Sequence, residues 1–148
     1  MTTDAVTIET AGRPASSDPS RAWTVALRLA QVAVAAILGL GAFVKFFNYV
    51  PEGAMDLAVA LGVGRGVITL IGSVELTAAI LILVPRTRAV GALLAVFTML
   101  GALFSHAVKI GWSGNAAAEM WPLALIVLAA ALFVLYDRRG ELPLVGRR

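Results

Sequence analysis

The chain has 148 residues, of which 59% are apolar and 14% charged, whereas a soluble domain carries about a quarter charged residues. It has no cysteine and one histidine, which excludes a disulfide, a CxxC pair, an iron–sulfur cluster and a multi-histidine metal or haem site within one chain. The net charge of +3 comes from arginines at the ends of apolar blocks; without a basic stripe, we expect a lipid bilayer as partner and no nucleic acid.

Four apolar blocks are long enough to cross about 30 Å of hydrocarbon as helices. They predict spans at about 23–47, 66–84, 89–108 and 120–136. The polar residues 1–22 predict a disordered tail, and residues 137–148 predict a second polar tail. The predicted fold class is therefore all-α, an integral membrane four-helix bundle at residues 23–136.

The three links between the spans differ in length. The first link, about 48–65, is the longest, and its apolar segment Leu57 to Leu61 predicts a short helix at the interface or over the bundle mouth. The second is a tight turn that begins at Pro85 and ends at Arg88. The third, about 109–119, contains Trp112 and Asn115.

The distribution of basic residues predicts the orientation, because cytoplasmic loops are enriched in Lys and Arg. With the N-terminus in the cytoplasm, only Lys45, Arg65 and Lys109 lie outside. The inner side then carries Arg13, Arg21, Arg28, Arg86, Arg88, Arg138, Arg139, Arg147 and Arg148. We therefore expect a multi-pass protein of a bacterial plasma membrane with both termini cytoplasmic.

Glu75 lies near the middle of the second span, roughly 14 Å from either end at 1.5 Å per residue. A carboxylate at that depth is costly, so it should face the bundle interior and be paired or protonated. Small helical neighbours such as Gly72 and Ala78 would let another helix approach. Either Glu75 carries a proton or binds a ligand, or it is a structural carboxyl bonded to a neighbouring helix.

Lys45 ends the first span. Its amine either snorkels to the outer headgroups or turns inward as the partner of Glu75. Lys45 lies about one and a half turns nearer the outer surface than Glu75. That difference in depth weighs against a direct contact, although the long side chain reaches several Å.

His106 lies near the outer end of the third span, on one face with Gly91, Ala95 and Ala102. It is either satisfied by a backbone carbonyl or acts as a quinone or proton-relay partner. Depth alone predicts that Lys45, Glu75 and His106 converge in the outer half of the bundle. Secondary candidates at the same end are Asn48, Ser105 and Trp112, with Asn115 as a further polar group.

Three stretches resemble the DoxX-like family of small four-span membrane proteins: Gly39 to Phe46, Ile71 to Thr87, and Gly101 to His106. The resemblance covers about 23–136. It implies a four-helix membrane fold with Lys45, Glu75 and His106 as the family's polar positions. Some relatives are described as subunits of quinone-linked sulfur oxidation or of membrane oxidoreductase complexes, which makes a quinone the candidate cofactor. Cysteine-based roles of distant relatives do not apply here.

Two functional hypotheses and a structural one stay open. The first is a subunit that binds a quinone or another small amphipathic molecule and serves a redox partner protein, since the chain has no evident electron carrier. The second is a proton-coupled small-molecule transporter, although the small multidrug-resistance exporters carry their carboxylate in the first helix. The third is a structural or assembly subunit. Catalytic residues stay unassigned, and a homo-oligomer stays open.

Overall fold

The structure, a computed structural model, describes residues 19–49, 56–114 and 118–141. These residues form five α-helices and three short helical segments: α1 Pro19–Phe47, α2 Leu57–Leu61, α3 Arg65–Leu83, α4 Arg88–Ser105, a π-helix His106–Ile110, a 3-10 helix Ala118–Met120, α5 Trp121–Arg138 and a 3-10 helix Arg139–Glu141. Most of both predicted polar tails, and Asn115, lie outside the described residues.

Four of the helices, α1, α3, α4 and α5, are long and apolar enough to cross a membrane. This confirms the all-helical fold class and the four spans. The helix bounds differ slightly from those predicted, because α1 begins at Pro19, inside the stretch predicted as a tail, and α5 continues to Arg138. Pro122 lies in the first turn of α5, where its missing N–H breaks no helical bond.

The bundle packs through small side chains. Helix α1 lies against α3 and α5, and α4 lies against the same two helices. At the centre, Ala78, Ala92, Ala95 and Ala131 are fully buried. Large apolar side chains point outward along every span, as Leu29, Leu40, Leu70, Phe97 and Ile126 show. This is the arrangement expected in lipid, where small residues let helices approach and the outer surface must be apolar.

The two ends of the bundle differ in chemistry. At one end, called the Arg88 end, α1 and α4 begin while α3 and α5 finish; here Trp23 donates from Nε1 to Oδ1 of Asp137 at 2.9 Å. At the opposite end, called the His106 end, α1 finishes, α3 begins and the π-helix follows α4. The hydrogen bond from Trp23 thus joins the start of α1 to the end of α5 at the Arg88 end.

Helix α2 confirms the short helix predicted at Leu57–Leu61. Asp56 caps it by accepting from the backbone N–H of Ala58 at 2.8 Å, and Gly62 ends it in the left-handed conformation. It contacts α3 and the π-helix. It therefore lies at the His106 end of the bundle.

The turn between α3 and α4 is set by Pro85, which disfavours a helical conformation at the residue before it. Val84 is accordingly extended, and α3 ends at Leu83. After the turn, Gly91 lies so close to α3 that a Cβ at this position would collide with the backbone of Leu81 and Ile82. The glycine is what allows α3 and α4 to pack backbone to backbone.

Candidate functional site

Lys45 and Glu75 form an ion pair between α1 and α3. The Nζ of Lys45 lies 2.7 Å from Oε2 of Glu75, and the two side chains are 15% and 6% exposed. The same Nζ lies 3.4 Å from the carbonyl oxygen of Gly41, which is a long hydrogen bond. The structure therefore shows that the side chain of Lys45 turns inward to Glu75 and does not extend to the outer headgroups.

The expectation that their difference in depth would keep Lys45 away from Glu75 is wrong. At the His106 end, α1 and α3 end at different heights along the bundle axis. A Cβ on Gly72 would lie 3.2 Å from the Cβ of Lys45. Lys45 is near the end of α1 while Gly72 is well inside α3, so α3 extends past α1 by about 7 Å. Side chains also tilt toward the N-terminus of their helix. In antiparallel α1 and α3, that tilt brings the amine and the carboxylate together.

Two glycines make room for the pair. A Cβ on Gly41 would lie 3.2 Å from Oε2 of Glu75 and 3.5 Å from Nζ of Lys45. A Cβ on Gly72 would also approach the carbonyl oxygen of Ala42, at 3.5 Å. Any larger residue at either position would push the charged groups or the two helices apart.

An apolar groove of about 360 Å³ runs between α1 and α3 on the outer face of the bundle. It begins within one helical turn of the ion pair, since Leu76 follows Glu75 and Gly39 precedes Gly41 by two residues. All of its lining residues are apolar: Val32, Ala35, Ala36, Gly39, Leu76, Ala79, Ile80 and Leu83. Sequence reasoning missed this groove; its signal was the run of small residues in α1.

His106 is buried, with 5% exposure, and is held by its own segment. Its Nδ1 lies 3.0 Å from the carbonyl oxygen of Gly111, and the backbone N–H of Gly111 donates to the carbonyl of His106. The imidazole stacks on Trp112 with ring centroids 5.8 Å apart. These contacts match the hypothesis of a histidine satisfied by a backbone carbonyl.

The structure does not join His106 to the ion pair: in the part of the chain that it describes, no hydrogen bond or salt bridge links His106 to Lys45 or Glu75. The polar residues predicted as one cluster therefore form an ion pair between α1 and α3 and a separate aromatic cluster at the His106 end. Trp121 completes that second cluster by donating from Nε1 to the carbonyl of Trp112 at 3.1 Å.

The secondary candidates have local roles. Asn48 follows α1 in the left-handed conformation, with φ of 52°, and is exposed. The hydroxyl of Ser105 donates to the carbonyl of Gly101 one turn earlier, at 2.9 Å. Trp112 is 48% exposed beside His106. None of the three contacts the ion pair through a hydrogen bond among the described residues.

Of the comparisons with known proteins, the one with protein families gave a match. Searches of curated proteins and of solved structures found no significant match. The sequence model of the DoxX-like family matches residues 29–135, which include the ion pair, the groove and His106. The chain is therefore a multi-pass membrane protein that belongs to the DoxX-like family.

Proposed function

We propose that this protein binds the polar headgroup of a small amphipathic molecule between α1 and α3, with a quinone as the candidate ligand, and serves as a ligand-binding subunit of a membrane oxidoreductase complex. One observation carries the proposal: the ion pair between α1 and α3 lies within about one helical turn of an apolar groove on the outer face of the bundle. The pair offers polar contacts for a headgroup, and the groove offers a surface for a tail.

The ion pair has unused hydrogen-bonding capacity. An ammonium group has three donors; in Lys45, one is directed to Glu75 and one at most to the distant carbonyl of Gly41. A further N–H is left for a ligand oxygen. Oε1 of Glu75 accepts no hydrogen bond from the described residues, and a carboxylate there can exchange a proton with a bound ligand.

The groove fits the apolar part of such a ligand. Its volume of about 360 Å³ is within the range of small-molecule sites. Because it faces lipid, a tail can enter sideways from the bilayer without crossing water. A quinone supplies reversible two-electron chemistry when bound, and a redox partner protein would supply the electrons; Lys45 would orient a ring oxygen and Glu75 would hold or release the proton.

The test is to purify the protein in mild detergent and measure the quinone that co-purifies with it. Glu75→Gln keeps an acceptor for Lys45 but removes the charge, and we expect at least a tenfold loss of bound quinone, about 1.4 kcal/mol. Gly39→Leu should cause a similar loss by filling the groove, because a Cβ at this position would meet no protein atom within 4 Å. Lys109→Met, an exposed lysine, is the control and should bind as the wild type does.

Other outcomes would overturn the proposal. Quinone content that is negligible, or unchanged in both Glu75→Gln and Gly39→Leu, removes the ligand site. Substrate movement driven by a proton gradient in vesicles, abolished by Glu75→Gln, would establish the transporter instead. If Glu75→Gln and His106→Ala both complement every phenotype of a deletion strain, the protein is a structural subunit.

A further inference from the structure

Arg88 is a buried guanidinium at the opposite end of the bundle from the ion pair's lysine. It is the first residue of α4, and its exposure is only 6%. In the described part of the chain, its buried Nε has no hydrogen-bond partner, and no residue there accepts a hydrogen bond from its other two nitrogens. Burying an unpaired donor of a charged group is costly, so this group favours an acceptor.

The charges around Arg88 leave its need for an acceptor unmet. Arg28 of α1, Arg138 of α5 and Glu141 lie within electrostatic range of it. Glu141, however, is bonded to Arg138 at 3.2 Å, and Arg138 also lies 2.9 Å from Asp137. The nearby carboxylates are therefore engaged by Arg138, and among the described residues neither Arg28 nor Arg88 forms an ion pair.

The start of α4 adds to this positive field. Thr87, the residue before the helix, makes no side-chain cap and instead donates its hydroxyl to the carbonyl of Leu81 at 3.0 Å. The first N–H groups of α4 thus lack a side-chain acceptor. A helix N-terminus attracts anions, and a guanidinium binds the oxygens of a phosphate through two parallel hydrogen bonds.

We propose that Arg88 and Arg28, together with the start of α4, bind the phosphate of an anionic phospholipid headgroup. A lipid is favoured over a soluble anion because the apolar side chains of Leu29, one residue from Arg28, and Val90, two residues from Arg88, are exposed. They would contact the acyl chains of a lipid whose phosphate lies at Arg88. Basic pockets between spans bind lipid headgroups in this way.

The experiment is native mass spectrometry of the full chain in mild detergent, with phosphatidylglycerol, phosphatidylcholine or inorganic phosphate added. We expect phosphatidylglycerol to bind more tightly than phosphatidylcholine. Arg88→Gln should weaken it about tenfold or more, as expected for the loss of hydrogen bonds to a charged group. Arg28→Gln, at an exposed position, should weaken it about fivefold.

Arg86→Gln is the matched control, because Arg86 is exposed in the same turn; it should bind phosphatidylglycerol as the wild type does. Equal binding by the wild type, Arg28→Gln and Arg88→Gln would overturn the site, as would an equal loss in Arg86→Gln. Displacement of phosphatidylglycerol by millimolar inorganic phosphate would overturn the lipid assignment. The quinone measurement is independent, since neither arginine lies at the ion pair or the groove.

Discussion

The ion pair between Lys45 and Glu75 makes a quantitative prediction about stability. Removing one partner from a buried pair leaves an uncompensated charge and costs roughly 3–5 kcal/mol, whereas replacing both with apolar residues is often neutral or stabilising. Glu75 is buried, with 6% of its side chain exposed, and Lys45 is partly buried, with 15% exposed, so we take the lower end of that range. We expect Lys45→Met to cost about 3 kcal/mol of unfolding free energy, and Glu75→Leu a similar amount.

The double variant Lys45→Met/Glu75→Leu should recover most of this loss. Since the two single losses sum to about 6 kcal/mol and the double variant should cost about 1 kcal/mol, the coupling free energy is about 5 kcal/mol. This exceeds the 0.5–3 kcal/mol usual for residues in contact, because each single substitution leaves a charge without its partner. The assay is reversible unfolding in detergent micelles titrated with sodium dodecyl sulfate and followed by circular dichroism. Lys109→Met is the control and should change stability by less than about 0.5 kcal/mol.

Two results would refute this reasoning. The first is additivity of the single substitutions within about 0.5 kcal/mol, which is the behaviour of sites that do not interact. The second is a Lys45→Met variant as stable as Lys109→Met, which would mean that the amine of Lys45 is solvated or lies among headgroups. Either result would also remove the polar half of the proposed ligand site.

Two further substitutions test the packing of α4 and of the segment that follows it. Gly91→Ala should destabilise the protein by about 1–3 kcal/mol through overpacking against the backbone of Ile82; Gly101→Ala, where a Cβ meets nothing within 4 Å, should be neutral or slightly stabilising in the same unfolding assay. His106→Ala should cost about 1–2 kcal/mol by removing the hydrogen bond to Gly111 and the stacking on a tryptophan, and should speed amide hydrogen exchange in residues 106–114. A Gly91→Ala variant as stable as Gly101→Ala, or unchanged exchange in His106→Ala, would contradict these contacts.

Much of the fold is predictable from the sequence because the bilayer limits the choices. A helix must be about twenty apolar residues long to cross it, so the four spans follow from composition, and Pro85 ends one of them. The inward position of Glu75 follows from the cost of a carboxylate in lipid. The short helix at Leu57–Leu61 is visible in its apolar run and its Asp cap.

The partner of each polar side chain was decided only by the tertiary structure. Lys45 reaches Glu75 because α3 extends past α1, and no sequence pattern records how far one helix is displaced along another. His106 is predicted to lie at a depth similar to that of Lys45, yet its Nδ1 lies at hydrogen-bond distance from the carbonyl oxygen of Gly111, five residues later. In the sequence, Arg88 is only one more inner-side charge, whereas the tertiary structure buries it and the described residues supply no acceptor for its Nε. Hydropathy fixes how deep a residue lies, but the axial offset and rotation of packed helices fix what it touches.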